Sequence, residues 1–148
     1  MSDREALRAL VDAYATACDN RDGEAFASLF TPDATLAIYQ PFETEPLAVI
    51  EGSDAMPNAI APLSQYRATL HLMANHTSEL DGDSASGETY CLAHHLRPTD
   101  TGGVEDLVMM ILYGDRYARA GGRWQFAHRD VRILWTEIHP ASGDPIPF

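Results

Sequence analysis

Thr69-Leu70-His71-Leu72-Met73-Ala74-Asn75-His76-Thr77-Ser78-Glu79-Leu80, closed by Asp81-Gly82-Asp83, is where the chain changes period. Before it, apolar residues recur at helical steps. From it onward they alternate or run together, as strands require. Three more such runs follow at 86–97, 104–118 and 123–135. The breaks between the four are Asp81-Gly82-Asp83, residues 98–103 and Ala120-Gly121-Gly122, short polar or glycine-rich segments that suit hairpins. Four consecutive hairpin-linked strands make an antiparallel meander.

Upstream the texture is helical. Ser2-Asp3-Arg4-Glu5 has the spacing of a capping box. Leu7, Leu10, Val11, Tyr14, Ala15 and Cys18 then form one apolar stripe, with Asp19 at its border. Gly23 breaks this helix, and residues 24–30 read as a short second helix with Phe26, Leu29 and Phe30 inward. Asp22, an acid before Gly23, suits its N-cap. Thr31-Pro32-Asp33 marks a turn, 34–39 a strand, and 41–46 a loop or strand edge. Gly52-Ser53-Asp54 offers a cap for a third helix over 54–63, with Pro57 near its first turn. Three helices followed by a meander predict an α+β domain over 1–139, with the helices against one sheet face. Residues 140–148 hold three prolines and read as an irregular C-terminal tail.

At 148 residues the chain can bury a core without staples. All ten of its cations are Arg and none is Lys, which excludes Schiff-base, P-loop and covalent pyridoxal chemistry. A net charge of −12 argues against nucleic acid and anionic membranes as partners. No run approaches the roughly 18 apolar residues of a membrane span, and the first residues lack a signal-peptide core, so a cytoplasmic location is the expectation. Cys18 and Cys91 sit among apolar residues and read as buried free thiols.

A carboxylate and an imidazole brought to one cavity can move a proton at neutral pH, and Asp19 and His71 are the candidates. Each has a plain alternative: Asp19 as a helix-end acid or a partner of Arg21, His71 as a satisfied core histidine. His94 and His95 point to opposite faces of a strand, so only one can enter a pocket. His95 shares its face with Gly87, Thr89, Cys91 and Ala93, which leave room for a ligand. His76, five residues beyond His71, should fall on the opposite face. No histidine pair has metal-ligand spacing, so neither a metal nor a cofactor is expected. Tyr14 and Tyr39 are candidate phenol donors, although Tyr14 lies on the buried helical stripe. Met73, Met109, Met110 and Trp135 read as core or pocket lining. Arg129, on an otherwise apolar strand, either satisfies a buried acid or touches substrate.

Three features together resemble SnoaL-like proteins of the nuclear-transport-factor-2-like superfamily. One is Tyr14-x-x-x-x-Asp19-x-x-Asp22 followed by Phe30-x-Pro32-Asp33-Ala34. Another is His71-x-x-x-Asn75 feeding Leu80-Asp81-Gly82-Asp83-Ser84-Ala85. The last is Gly122-Arg123-Trp124-Gln125-Phe126. The resemblance implies a cone-shaped barrel, a strongly curved, mixed but mostly antiparallel sheet wrapped around three N-terminal helices, with a deep apolar pocket. Relatives include polyketide cyclases, scytalone dehydratase, ketosteroid isomerase and hexachlorocyclohexane dehydrochlorinase. Asp19 and His71 stand where the dehydratase and dehydrochlorinase branches carry an Asp–His pair, and His95, or else its neighbour His94, stands near a second pocket histidine of scytalone dehydratase. The strand at 107–113 lacks the polar groups of that enzyme, which implies a more apolar substrate. The expectation is therefore a cofactor-independent lyase or isomerase, dehydratase-like, acting on a hydrophobic cyclic small molecule. Either Asp19 or His71 would be the base. The residues also allow a non-catalytic small-ligand-binding or assembly protein. A homodimer through the outer sheet face is implied by the resemblance alone.

Overall fold

The structure, a computed structural model, describes residues 1–143. Helix α1 (Asp3–Asp19) starts with the capping box read from the sequence. The Ser2 backbone N–H donates to the Glu5 carboxylate at 2.7 Å, and the Glu5 N–H to Ser2 Oγ at 3.3 Å. Its stripe of Leu7, Leu10, Val11, Tyr14 and Cys18 is buried. Helix α2 (Gly23–Ser28) is N-capped by Asp22, whose Oδ1 accepts from Ala25 N at 2.9 Å. It is shorter than the sequence suggests, because Phe30 already begins strand β1 (Phe30–Tyr39).

The expected third helix is broken. A turn at Ser53–Ala55 leads into one helical turn, α3 (Pro57–Ile60), and a tighter turn at Ala61–Gln65. Pro57 and Pro62 lack the N–H groups that continuous helix bonding needs. No side chain caps the first of these turns, so the expected cap at Gly52-Ser53-Asp54 is not formed. A short strand β2 (Ala48–Glu51), absent from the sequence reading, pairs with β1.

The meander is as read: β3 (Ala68–Asp81), β4 (Ser84–Pro98), β5 (Val104–Ala120) and β6 (Arg123–Ala141). The spatial order is β2-β1-β6-β5-β4-β3, with β1 parallel to β6 and every other pair antiparallel. The sheet is curled and open rather than closed into a barrel, since β2 and β3 are its two edges. Pro140 and Ala141 belong to β6, opposite Glu105 and Val104, so the irregular tail does not begin at 140. Proline is tolerated there because β1 ends opposite Arg132, leaving that end of β6 paired on one side only. Residues 144–148 of the expected tail lie outside the described residues.

Register irregularities between Met73 and His76 in β3, and at two places along β5–β6, bend the strands. The first has a local consequence. Thr69 and Ser78 are buried on the side facing α1, with His71, Met73 and His76 partly covered there. An extra residue at 74–75 shifts the alternation by one, and His76 therefore faces the same side as His71. The odd-spacing expectation fails because a bulge breaks the period of two. Beneath the helices lies an aromatic core of Tyr14, Phe26, Phe30, Tyr113, Tyr117 and Phe126. Cys18 and Cys91 are buried free thiols, and burial pushes Cys91 up to about 12.

Candidate active site

Helix α1 delivers Asp19 at its last residue, and β3 delivers His71 two residues after the inward Thr69. The Asp19 Oδ1 lies 2.7 Å from His71 Nδ1, and Oδ2 accepts the His71 backbone N–H at 3.0 Å. Thr69 donates its hydroxyl to Oδ1 at 2.9 Å. Burial is the largest influence on the Asp19 carboxyl and pushes it upward. The hydrogen bonds from the His71 ring, the His71 backbone and Thr69 outweigh it, and the acid sits below the usual carboxylate range. An ionised carboxylate only accepts, so a proton lies on His71 Nδ1, and among the described residues Nε2 makes no hydrogen bond; in the neutral ring it carries the lone pair. That is the arrangement of a general base held by an acid. The His71 side chain is 7% exposed and that of Asp19 18%, so water competes little for the contact.

His95 stands beside this pair. Its ring centroid is 5.8 Å from that of His71, edge to face, and the Tyr66 ring centroid lies 4.8 Å away. His95 Nδ1 is 3.0 Å from the Leu107 carbonyl, which can only accept, so Nδ1 carries a proton. Burial, foremost, holds His95 below the ordinary histidine range, with the Leu107 bond opposing and His71 adding to the effect. His94 points the other way, to Asp106 at 2.6 Å.

The remaining candidates divide by face. Met73 is partly buried on the His71 side and packs against the core. Tyr14 and Arg129 lie within the core. Arg129 is wholly buried, paired to Asp115 through Nε at 2.7 Å and Nη2 at 2.8 Å, its guanidinium about 4 Å from the Tyr14, Tyr113 and Phe126 rings. It satisfies a buried acid, one of its two expected roles. Met110 opposes the exposed Leu92 and the half-exposed Trp135, and Tyr39 lies under the outward Arg132 guanidinium at 4.2 Å. These three stand on the outer face, away from Asp19 and His71, because each occupies an outward register position.

Thr69, Tyr66 and the Asp115–Arg129 pairing escaped the sequence reading. Thr69 was within reach, since it lies two residues before His71 on the same strand face. The other two depend on long-range packing. An open cleft of about 1240 Å³ runs along the first turns of α1 past Arg4, Arg8 and His76 and touches neither Asp19 nor His71. Among the described residues no group of three His, Cys, Asp or Glu is placed to hold a metal ion. None of the helices there is long and apolar enough to cross a membrane.

A putative scytalone dehydratase from Novosphingobium aromaticivorans is 24% identical, covering 97% of this chain and 93% of its own, with a TM-score of 0.77. The type 2 hexachlorocyclohexane dehydrochlorinase LinA is 18% identical over 97% of this chain and 93% of its own, with a TM-score of 0.80. A variant of Rv3472 from Mycobacterium tuberculosis, described as of unknown function, is 24% identical over 88% and 71%, with a TM-score of 0.73. At these identities the likeness establishes the fold. No curated protein matches the chain. The SnoaL-like domain model matches residues 1–130, which takes in the N-terminal helices, most of the curled sheet and the Asp19–His71 pair, and the chain therefore belongs to the SnoaL-like domain family.

Proposed function

We propose that this protein is a cofactor-independent lyase or isomerase, dehydratase-like, that moves a proton on a hydrophobic cyclic small molecule with Asp19 and His71. The observation that carries the reading is the 2.7 Å contact between the Asp19 carboxylate and His71 Nδ1, with the opposite ring nitrogen unbonded among the described residues. In a dehydration, His71 Nε2 takes the proton from the carbon beside a carbonyl. The carbon–carbon double bond forms as the β-hydroxyl leaves, and the departing oxygen recovers the proton from the imidazolium as water. Asp19 stays ionised and stabilises the imidazolium between the two transfers. His95, held neutral, accepts a hydrogen bond from a substrate hydroxyl and orients it. The likeness of the fold to proteins named as a dehydratase and a dehydrochlorinase supports an elimination over other proton transfers.

The test is turnover of a panel of cyclic β-hydroxy ketones, followed by loss of the hydroxyl. We expect His71→Gln and Asp19→Asn to lower kcat by about 10²- to 10⁴-fold with folding intact. Ligand binding that does not change with pH, and no turnover of any substrate, would favour the binding-protein alternative.

The same proposal includes a homodimer through the outer sheet face. There Leu70, Leu72, Tyr90, Leu92 and Trp135 are each 41–53% exposed, an apolar surface that a monomer seldom leaves uncovered. The buried free thiols suit a reducing compartment such as the cytoplasm.

A further inference from the structure

Helix α1 ends in a turn that normally calls for glycine. Asp22 N bonds back to Ala17 O at 3.0 Å and Arg21 N to Cys18 O at 3.2 Å, and Arg21 sits in this turn at φ 57°. That left-handed position is usually Gly or Asn, because a Cβ is strained there. An arginine kept at such a position suggests that its side chain has work to do. Its Nη1 folds back onto the carbonyls of Cys18 at 2.8 Å and Asp19 at 3.2 Å, and onto Thr69 Oγ1 at 2.7 Å. Arg21 thus pairs with the helix end and with Thr69 rather than with the Asp19 carboxylate.

The directions of these bonds follow from chemistry. A guanidinium has no acceptor, so Thr69 Oγ1 must accept from Arg21. The single hydroxyl proton is then committed to Asp19 Oδ1, 2.9 Å away. The same oxygen receives His71 Nδ1–H, and Oδ2 receives the His71 backbone N–H. All three donors onto the carboxylate come from β3, and Arg21 ties that strand to the last turn of α1.

We infer that Arg21 and Thr69 are positioning residues: together they hold the Asp19 carboxylate in one orientation and so keep His71 in its Nδ1–H tautomer. The inference rests on the Asp19–His71 reading above and gives neither residue a contact with substrate. The Thr69 hydroxyl should then matter more than its methyl group.

Nuclear magnetic resonance of the ¹⁵N-labelled full chain, with the His71 signals assigned through His71→Gln, tests this without a substrate. In the unaltered protein His71 should appear as one tautomer with a slowly exchanging Nδ1 proton. Thr69→Val, nearly the same shape without the hydroxyl, should lose that proton signal and mix the two tautomers. Thr69→Ser should restore both, and Arg21→Met should behave like Thr69→Val. With a substrate in hand, kcat should fall on the order of tenfold in Thr69→Val with KM little changed, as for other hydrogen-bond partners that orient a functional histidine. A Thr69→Val protein with an unaltered tautomer and Nδ1 proton overturns the inference, and so does Thr69→Ser failing to rescue. A native-like melting profile for Thr69→Val keeps the result independent of misfolding at Arg21. If no variant, the unaltered chain included, turns over any substrate, the lyase reading fails while the tautomer spectra still decide the relay.

Discussion

Single residues in this protein are held by partners that fix their protonation as much as their position. Asp19 titrates below its unfolded value and His95 below its own. In both cases the unfolded chain binds more protons, so stability falls as pH falls. For His95 the loss begins below an unfolded value of about 6.5, and for Asp19 below about 3.9. Urea midpoints should therefore decline in two stages on acidification, the first shared by His95 and His76, which burial also holds down, and the second by Asp19 with Asp3 and Glu5. His95→Asn should make the first stage shallower and Asp19→Asn the second, and a scan in which neither changes shape would sink the assignment. Arg129 offers a harsher case, because both members of its pair are wholly buried. Asp115→Asn leaves a buried guanidinium uncompensated and should cost about 3–5 kcal/mol. Chemical unfolding of that variant measures it directly.

At the scale of elements, the sheet depends on where it lacks side chains. On Gly87 in β4 a Cβ would lie 2.6 Å from the Thr77 carbonyl oxygen and 3.1 Å from the Tyr117 ring. The backbone of β3 cannot yield as a flexible side chain would. Gly87→Ala should destabilise by roughly 1–3 kcal/mol, a Tm loss of about 5 °C. Gly114→Ala in β5 is the control, since its Cβ would meet nothing closer than the Asp130 Cβ at 3.9 Å. Equal losses from the two would show that strand propensity, and not the contact with Thr77, sets the cost. The bulge at 74–75 acts at the same scale: by shifting the alternation it gathers His71 and His76 onto one face and bends β3 over α1.

For the whole molecule, the sheet buries one face under the helices and leaves the other carrying an apolar patch. If two copies cover that patch, light scattering should give a dimer mass, and Leu92→Asp should produce monomers with an unchanged melting profile. A monomer mass for the unaltered chain would remove the dimer from the proposal. The net charge of −12 has its own consequence: the protein should bind neither duplex DNA nor anionic vesicles at low salt.

The sequence by itself determined the order and type of the main elements, because a period near 3.6 in the stripe of Leu7 to Cys18 and a period near 2 after Thr69 reflect local geometry. It also marked Asp19, His71 and His95 as candidates, through helix-border and strand-face positions together with the resemblance to SnoaL-like proteins. The broken third helix was half legible in Pro57 and Pro62. What tertiary structure alone decided was contact: the parallel pairing of β1 with β6, the burial of Arg129 by Asp115, and the outward placement of Tyr39, Met110 and Trp135. Strand faces follow a period of two only until a bulge intervenes, and a bulge is set by packing between strands rather than by the residues within it. The bond between Asp19 and His71 belongs to the same class, because it exists only where the end of α1 meets β3.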